Sequence, residues 1–494
     1  MSKSPHPSSP PRPIPSSILI IGSGAFGLST AYALARHPDF KKTAITLVDR
    51  HPFPAPDGSS IDSSRIIRAD YADPAYAALA AEAQEHWRGE WGADGRYHEV
   101  GLCLTAEPGK EDYVVKSLEN VRALEGLRRE AASAEGGGEG RSRGEGTNIQ
   151  PLRSPADIQA ALHTGGTIGS SGYLNLSSGW ADAEASMRYL RALVAATKRV
   201  AFLTDTVARL LFSSSPSAPT KVTGARLASG TSLTADLTIL AAGAWSPTLL
   251  DLRGIAAARG QCIGYMRVSA DEAARFAQAP VVLDLSSGMY VFPPSADGMV
   301  KVAWHSFGWA NPVRIAHPER GGVAGASGHA AGTGEGEGER EGEEPIITVS
   351  VPRTSHQRPA QQPIPREGQQ ALHAFLASTH PSLAARPFAR TRLCWYTDTP
   401  RGDFLITYHP RYDGLFVATG GSGHGFKFAP VIGDKIVDIL LDKSEVMEEG
   451  GWGRRWGWPT ERLAEGGWTL DGSRGGGKGM VLESEEGGRR AEKL

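Results

Sequence analysis

The sequence predicts an α/β protein with two domains, one built on a parallel sheet and the other on a mostly antiparallel sheet with α+β character. Two apolar runs predict the parallel sheet. One lies at residues 18–21 and the other at residues 237–241, and each leads directly into a glycine-containing turn. Such runs are typical of strands that are buried on both faces. The antiparallel sheet is predicted because residues 262–306 alternate apolar and polar side chains, as half-buried strands do.

The first apolar run, residues 18–21, is followed by Gly22, Gly24 and Gly27 in the pattern G-x-G-x-x-G. In this pattern Gly22 makes the tight turn, and Gly24 lets the backbone approach a pyrophosphate whose charge lies at the helix N-terminus. Apolar residues then recur at helical spacing until Pro38. The stretch therefore predicts a strand, a phosphate-binding turn and a helix.

A second strand, residues 44–48, ends in Asp49, whose carboxylate can accept hydrogen bonds from the hydroxyls of an adenosine ribose. The glycine pattern by itself also occurs in ordinary glycine-rich loops. Because the strand, the helix and the acid all stand in register, the unit predicts a Rossmann-type dinucleotide-binding domain.

Two later glycine-containing turns predict further contacts with the same ligand. Residues 239–247, ILAAGAWSP, place small side chains at the end of a buried strand, and residues 420–430, GGSGHGFKFAP, follow a third apolar strand. Small residues at such positions let a ligand approach the backbone closely, although helix–sheet packing also uses them. Flavin-binding proteins often have a second turn of this kind, whereas nicotinamide-dependent dehydrogenases do not require one.

The composition argues against several classes of function. The chain of 494 residues has 54 acidic and 52 basic residues, and its net charge of −2 gives no reason to expect nucleic acid or an anionic membrane as a partner. No apolar run approaches the length of a membrane span. Cys103, Cys262 and Cys394 lack the spacing of a metal site, so we expect no metal, and so few cysteines suit a reducing compartment.

Three segments are predicted to be largely disordered. Residues 1–16 are rich in Pro and Ser and lack the apolar core of a signal peptide. Residues 319–344 are rich in Gly and Glu, have too few apolar side chains to offset the entropy of ordering, and read as an insertion in a loop of the antiparallel sheet. Residues 446–494 form a tail that we expect to be largely disordered, except where three tryptophans could pack against the body of the protein: Trp452, Trp456 and Trp458.

Seven motifs together resemble one branch of the D-amino-acid-oxidase superfamily, which contains monomeric sarcosine oxidase and the fructosyl amino acid oxidases (amadoriases). The resemblance is strongest to fungal members similar to sarcosine, saccharopine and pipecolate oxidases. The motifs span about residues 17–443: IIGSGAFG, SSRIIR, GWADA, LAAGAWSP, KVAWHSFG, RLCWYTDTP and GGSGHGFKF. The resemblance implies FAD as the cofactor.

The resemblance also implies a discontinuous FAD-binding domain and a substrate domain built on the mostly antiparallel sheet. We assign residues 17–100, 165–255 and 385–445 to the FAD-binding domain. The substrate domain then comprises residues 101–164 and 256–384.

By this resemblance, residues of the glycine turns and of the neighbouring loops bind the FAD. Cys394 occupies the position at which the family attaches the flavin through a thioether, and a buried, inert cysteine is the alternative. The cofactor-binding residues implied in this way are Gly22, Gly24, Gly27, Asp49, Arg50, Ser64, Arg65, Val207, Ala242, Gly243, Trp245, Cys394, Gly421, Gly423 and Lys427.

The resemblance places six residues in the catalytic site: Arg68, Tyr290, Lys301, His305, Tyr396 and Lys427. Arg68 and Lys427 resemble the pair that holds a substrate carboxylate, although an arginine in a loop can equally form a structural salt bridge. Lys301 resembles the lysine that promotes the reaction with oxygen, and strand alternation places it on one face with His305. This histidine and the two tyrosines would line the amine side of the pocket, with ordinary core packing as the alternative.

These features predict a FAD-dependent amine oxidase. It would oxidise the secondary amine of an amino acid to an imine and reduce oxygen to hydrogen peroxide. A small amino-acid substrate and oxygen are its expected partners, and we expect a monomer. An NAD-linked dehydrogenase would explain the unit at 17–49 but not Cys394, and a non-catalytic flavin-binding protein would bind FAD without forming peroxide.

The sequence gives a weak indication of location. Glu492, Lys493 and Leu494 resemble the S-K-L peroxisomal address, but glutamate replaces its small first residue. We therefore expect a peroxisomal or cytoplasmic protein.

Overall fold

The computed structural model describes residues 12–134, 147–213, 220–320, 345–354, 364–464 and 472–482. Within these ranges it has ten α-helices: α1 (Ala25–Arg36), α2 (Pro74–Arg88), α3 (Asp112–Ala134), α4 (Pro155–Leu162), α5 (Ala183–Ala196), α6 (Ala270–Phe276), α7 (Arg366–Thr379), α8 (Ala429–Leu440), α9 (Ser444–Met447) and α10 (Trp452–Arg455).

The same ranges contain 24 strands, most of which belong to two large sheets. They are β1 (Ser17–Ile21), β2 (Ala44–Asp49), β3 (Arg65–Ile67), β4 (Tyr97–His98), β5 (Leu102–Ala106), β6 (Ile149–Leu152), β7 (Ser171–Asn175), β8 (Gly179–Ala181), β9 (Val200–Thr204), β10 (Val207–Phe212), β11 (Val222–Leu227), β12 (Ser232–Thr234), β13 (Leu237–Leu240), β14 (Ala257–Arg267), β15 (Val281–Asp284), β16 (Met289–Val291), β17 (Met299–Trp304), β18 (Trp309–Ala310), β19 (Pro312–Ala316), β20 (Ile346–Ser350), β21 (Arg390–Asp398), β22 (Leu405–Tyr408), β23 (Leu415–Thr419) and β24 (Met480–Val481).

The first large sheet has six strands in the order β22-β23-β13-β1-β2-β9, and all neighbours are parallel except β22 and β23. Its central strand β1 is apolar because both faces are covered, and Ile20 lies between Leu47 of β2 and Ile239 of β13. Helices α1 and α8 pack closely together, with the Ser29 hydroxyl donating to the Ala429 carbonyl at 2.8 Å. The predicted Rossmann-type unit is therefore present.

The second large sheet has ten strands and is mostly antiparallel. Nine of them follow the order β24-β18-β14-β17-β16-β15-β5-β7-β6, and β21 pairs with β14 over its full length. Parallel pairing is confined to β15 with β5 and to β18 with β24. Two members, β7 and β21, come from segments that the sequence assigned to the FAD-binding domain, because an apolar pattern indicates a buried strand without indicating its partner.

The described part of the tail is ordered, which differs from the prediction that the tail is largely disordered. The indole of Trp456 is fully buried and donates to the Tyr76 hydroxyl at 3.0 Å. The rings of Trp452 and Trp456 stack with centroids 4.5 Å apart, and Trp458 meets His409 edge-on at 4.4 Å, so the expected tryptophan packing is present. Residues 472–482 also pack on the second sheet and contribute its edge strand β24.

The two other segments predicted to be disordered fall largely outside the described residues. Of the leader, residues 12–16 pack on the body, where Arg12 pairs with Asp442 at 2.9 Å and the amide of Ser16 donates to Asp236 at 2.9 Å. Of residues 319–344, only the first two are described, and the segment connects the antiparallel strands β19 and β20. Among the described helices, none is long and apolar enough to cross a membrane.

The contact between α1 and α8 gives a stability prediction. A Cβ added at Gly433 would lie 2.1 Å from the Ser29 carbonyl oxygen, and backbone cannot move aside as a flexible side chain can. Gly433→Ala should therefore destabilise the protein by about 1–3 kcal/mol, seen as a lower melting temperature in thermal unfolding.

Gly126→Ala is the matched control, because a Cβ on this glycine of α3 would meet nothing within 4 Å. Alanine favours helix over glycine, so this variant should melt at the wild-type temperature or slightly above it. Equal melting temperatures for the two variants would contradict the close packing of α1 on α8.

Candidate active site

A cleft runs along the carboxyl ends of the five parallel strands β23, β13, β1, β2 and β9, where α/β sheets bind ligands. Its empty volume, including the opening to solvent, is about 1490 Å³. Most of the predicted cofactor-binding residues line it: Gly22, Gly24, Asp49, Arg50, Arg65, Val207, Ala242, Gly243, Trp245, Gly421 and Gly423.

The first glycine turn has the geometry that its sequence predicts. Gly22 has φ +108°, and a Cβ there would lie 2.5 Å from the Ala241 carbonyl oxygen, so only glycine fits. Gly24 precedes α1 and lines the cleft at the helix N-terminus. Gly27 is not part of the lining, and a Cβ on it would lie 1.9 Å from the Gly22 carbonyl oxygen. It therefore serves close packing of the helix on the turn.

Asp49 lies at the end of β2, and its two carboxylate oxygens differ in their hydrogen bonds. Its Oδ2 accepts from the amide and the hydroxyl of Ser23, both at 2.7 Å, while Oδ1 accepts a bond of 3.4 Å from the amide of His51. Beside it, the Arg50 guanidinium stacks 3.8 Å over the Trp245 ring. This end of the cleft offers a carboxylate, an arginine and an aromatic ring to a nucleoside.

Several buried polar atoms near the cleft have no partner within the described part of the chain. They include the hydroxyls of Ser63 and Ser64, which immediately precede the cleft residue Arg65. Buried polar groups are normally hydrogen-bonded, so such atoms indicate a ligand that is not part of the protein chain. Together with the glycine cradle and Asp49, they show that these residues fit a dinucleotide such as FAD.

Lys301 is buried in a cluster of charges behind the cleft. Its ammonium group donates to the Ser64 carbonyl at 2.7 Å and pairs with Asp62 at 2.8 Å. Arg65 also pairs with Asp62, at 2.6 Å. Burial lowers the pKa of Lys301 to about 7, with Arg65 acting in the same direction and Asp62 against it. Although burial opposes it, the combined charge of Lys301 and Arg65 holds the pKa of Asp62 well below its ordinary value.

Cys394 faces the same cluster from β21. Its side chain is buried, and its Sγ lies 3.7 Å from an Arg65 nitrogen. The thiol is not itself part of the cleft lining, whereas Arg65 and Tyr396 are. The structure therefore places Cys394 one side chain away from the predicted cofactor space.

Arg68 and Lys427 meet on either side of Tyr71. The Arg68 guanidinium lies 4.6 Å from the centre of the Tyr71 ring, and the Lys427 ammonium donates to the Tyr71 hydroxyl at 2.8 Å. Both side chains are buried, and within the described residues neither forms a salt bridge. One Arg68 nitrogen, Nη1, has no hydrogen-bond partner among the residues that the structure describes. Burial and the neighbouring Arg68 lower the pKa of Lys427 well below its ordinary value.

Two histidines and two tyrosines complete this pocket. Burial and the surrounding cations lower the pKa of both His305 and His424 well below the ordinary value, with Arg474 acting on the first and Lys427 on the second. Tyr290 and Tyr396 interact through their hydroxyls, and the rings of His305 and Tyr396 are 5.9 Å apart. Of the six predicted catalytic residues, Tyr396 lines the cleft itself. Lys301 pairs with Asp62, Arg68 and Lys427 contact Tyr71, and Tyr290 and His305 lie against Tyr396.

Sequence reasoning missed several residues that the structure places here. Asp62 and Tyr71 flank the SSRIIR motif, and a buried acid next to two arginines was a usable signal for Asp62. His424 lies inside the last glycine loop, where its Nδ1 contacts the Tyr71 hydroxyl at 3.0 Å. Arg474 comes from the tail and had no signal in the sequence.

A metal centre finds no support in the ranges that the structure describes, because they hold no group of three or more His, Cys, Asp or Glu side chains arranged around a common point.

Comparisons with known proteins agree with the fold and the cleft. The profile of the DAO family, described as FAD dependent oxidoreductase, matches residues 17–439. The chain is 33% identical over 460 residues to amino acid oxidase imqH of Aspergillus flavus, which covers 87% of this chain and 93% of that protein. It is 28% identical over 453 residues to L-saccharopine oxidase of Schizosaccharomyces pombe, covering 89% and 92%.

A solved structure shows the same fold. The crystal structure of the deglycating enzyme fructosamine oxidase (amadoriase II) from Aspergillus fumigatus has a TM-score of 0.71, with 25% sequence identity over 94% of this chain and 95% of that one. These similarities confirm the predicted α/β fold, the resemblance and the dependence on FAD, and they do not favour an NAD-linked dehydrogenase. The chain belongs to the DAO family of FAD-dependent oxidoreductases.

Proposed function

We propose that this protein oxidises the secondary amine of an amino acid to an imine and reduces oxygen to hydrogen peroxide. The observation that carries the proposal is the pair of buried cations Arg68 and Lys427, neither of which forms a salt bridge in the described part of the chain, although the pKa of Arg68 is raised, against the effect of burial, by neighbours that include Asp70. Two buried cations side by side call for an anion between them. A free α-carboxylate supplies it, whereas a simple alkylamine does not.

The relatives support an amino acid with a substituted nitrogen. L-saccharopine oxidase and fructosamine oxidase are named for such substrates. The substrate class proposed here includes sarcosine, pipecolate, saccharopine and fructosyl amino acids. A peroxide assay with sarcosine, L-pipecolate, L-saccharopine and fructosyl valine tests it. Bound flavin with no peroxide from any secondary amino acid would favour the non-catalytic alternative.

The reaction removes two electrons and two protons from the amine, one hydrogen from the α-carbon and one from the nitrogen, and oxygen takes up the same number. When bound, the FAD accepts the electron pair from the substrate and passes it to oxygen. The chain's own residues hold the substrate carboxylate at Arg68 and Lys427 and enclose the amine between His305, Tyr290 and Tyr396. They also place the Lys301 ammonium beside the cleft, where a cation stabilises negative charge that develops on oxygen.

We also propose that the FAD is covalently attached through Cys394. The support is the position of the thiol, 3.7 Å from Arg65 of the cleft and beside three cationic side chains. Acid precipitation should leave flavin on the wild-type protein, and Cys394→Ser should release it. Cys103→Ser is the matched control, since this buried cysteine lies on β5 away from Arg65, and its pellet should stay yellow. A colourless wild-type pellet would contradict the attachment.

Lys301→Met should slow the reaction of the reduced enzyme with oxygen at least tenfold and leave its reduction by substrate nearly unchanged. The reason is that the substitution removes the positive charge of Lys301, while it keeps the length of the side chain. Stopped-flow measurements separate the two half-reactions. Equal losses in both would indicate misfolding instead.

The wild type should also show a pH dependence in the oxygen step. Because burial lowers the pKa of Lys301 to about 7, the ammonium form is present below this pH and is lost above it. The oxygen rate should therefore fall as pH rises through about 7, and Lys301→Met should remove this dependence. The surface variant Lys110→Met is the control and should keep both the rate and the pH profile.

Arg68→Ala or Lys427→Ala should lower kcat/KM for the true substrate by roughly two orders of magnitude, because removing one partner of a buried charge pair costs about 2–5 kcal/mol. A methyl ester of the substrate should lose a similar factor with the wild type and little more with either variant. If the wild type oxidises the ester as well as the acid, the carboxylate assignment is wrong, and the proposed substrate class falls with it.

A further inference from the structure

The last described segment of the chain, residues 472–482, packs beside the residues that follow β17, the strand that carries Lys301. Its strand β24 pairs with β18, and Gly475 forms a bridge with Ser306. The amide of Gly475 donates to the His305 carbonyl at 3.2 Å, and the Gly475 carbonyl accepts from Phe307 at 3.3 Å. The segment is therefore attached directly beside the predicted catalytic histidine.

Arg474 connects this segment to three other parts of the chain around His305. Its side chain is 1% exposed and pairs with Asp398 at 2.7 Å, two residues after Tyr396. It also donates to the Ser306 carbonyl at 2.9 Å and to the Ser422 carbonyl of the glycine loop at 3.0 Å. These bonds define the position of the preceding residue relative to β17, β21 and the glycine loop.

Ser473 contacts His305 from this fixed position. The two groups are joined by a hydrogen bond of 3.2 Å between Ser473 Oγ and His305 Nε2, and Ser473 is 4% exposed. In the part of the chain that the structure describes, the other ring nitrogen of His305, Nδ1, has no hydrogen-bond partner. One nitrogen is thus held by the tail, and the other is available to a ligand.

The charges around His305 favour its neutral form. Burial and the cations Arg474, Arg68 and Lys427 lower its pKa well below the ordinary value. A neutral imidazole has one nitrogen that donates and one that accepts. A serine hydroxyl can donate or accept, and when it accepts from Nε2–H, Nδ1 is left as the acceptor.

We propose that Ser473 is a positioning residue whose hydroxyl oxygen accepts a hydrogen bond from Nε2–H of His305, so that Nδ1 faces the substrate as an acceptor for its amine N–H. In the opposite tautomer Nδ1 would carry the hydrogen, so that two N–H donors, Nδ1–H and the amine N–H, would face each other. This inference rests on the proposed function, because an N–H beside a carboxylate is what Arg68, Lys427 and His305 would hold together. It assigns to the tail a direct part in selecting amines.

A pair of planar carboxylates tests this assignment by equilibrium binding. Pyrrole-2-carboxylate has an N–H beside its carboxylate, furan-2-carboxylate has an oxygen at the same place, and neither has an α C–H to oxidise. Calorimetric titration of the wild-type holoenzyme should show the pyrrole bound about tenfold more tightly, since the furan leaves a buried acceptor unpaired. Equal affinities for the two would overturn the proposal.

Variants connect this preference to Ser473. Ser473→Ala and Ser473→Cys should each reduce it to twofold or less at wild-type flavin content, because nothing then fixes the tautomer, and Ser473→Thr should keep it. In a His305→Leu background, Ser473→Ala should have no further effect. Arg462→Lys is the control, since this tail arginine also bonds backbone carbonyls but lies away from His305, and it should keep the tenfold preference.

The possible failures are distinguishable. A tenfold preference that persists in both Ser473→Ala and Ser473→Cys would overturn the role of Ser473 while leaving the proposed function intact. A further loss caused by Ser473→Ala in the His305→Leu background would show that Ser473 does not act through the histidine. If neither carboxylate binds the wild type, the carboxylate site fails, and the proposed function and this inference fail together.

Discussion

One buried carboxylate, Asp62, connects the large antiparallel sheet to β3, a strand of a separate three-stranded sheet that carries Arg65 of the cleft. It accepts a hydrogen bond of 2.5 Å from Tyr265 on β14, and it pairs with Lys301 on β17 and with Arg65 on β3. Removing one partner from a buried network of this kind typically costs about 3–5 kcal/mol, because the remaining charges are left uncompensated. The position of the antiparallel sheet against the cleft therefore depends on this carboxylate.

The site contains two pairs of buried cations that differ in how their charge is compensated. Arg65 and Lys301 share Asp62, so their charge is compensated within the chain. Arg68 and Lys427 form no salt bridge among the described residues. Both contact Tyr71, Arg68 also donates to the Tyr113 hydroxyl, and Lys427 also donates to the His424 carbonyl. An uncompensated buried charge is unfavourable. The pair of Arg65 and Lys301 is therefore stable without a ligand, whereas the pair of Arg68 and Lys427 is suited to binding an anionic ligand reversibly. This contrast agrees with the proposal that Arg68 and Lys427 bind a substrate carboxylate.

Local signals account for what could be predicted from the sequence. The turn at Gly22, the acid at Asp49 and the small residues at Ala242 and Gly243 act through their own backbone or the adjacent strand, so spacing alone reveals them. Asp62 was missed because its meaning comes from Tyr265 and Lys301, which are more than 200 residues away along the chain. For the same reason, β7 and β21 belong to the antiparallel sheet although their segments were assigned to the other domain.

The tail shows why glycine content alone does not predict disorder. A Cβ at Gly475 would lie 1.8 Å from the Ser287 carbonyl oxygen, and one at Gly476 would lie 2.4 Å from the Trp304 ring. These glycines permit backbone to approach backbone and an aromatic face, as Gly22 does in the first turn. Composition cannot distinguish a glycine that permits such a contact from a glycine in a loose linker. The distinction depends on the residue that packs against the glycine, which can be distant along the chain. Here the contact holds the segment that carries Ser473 and Arg474 beside His305.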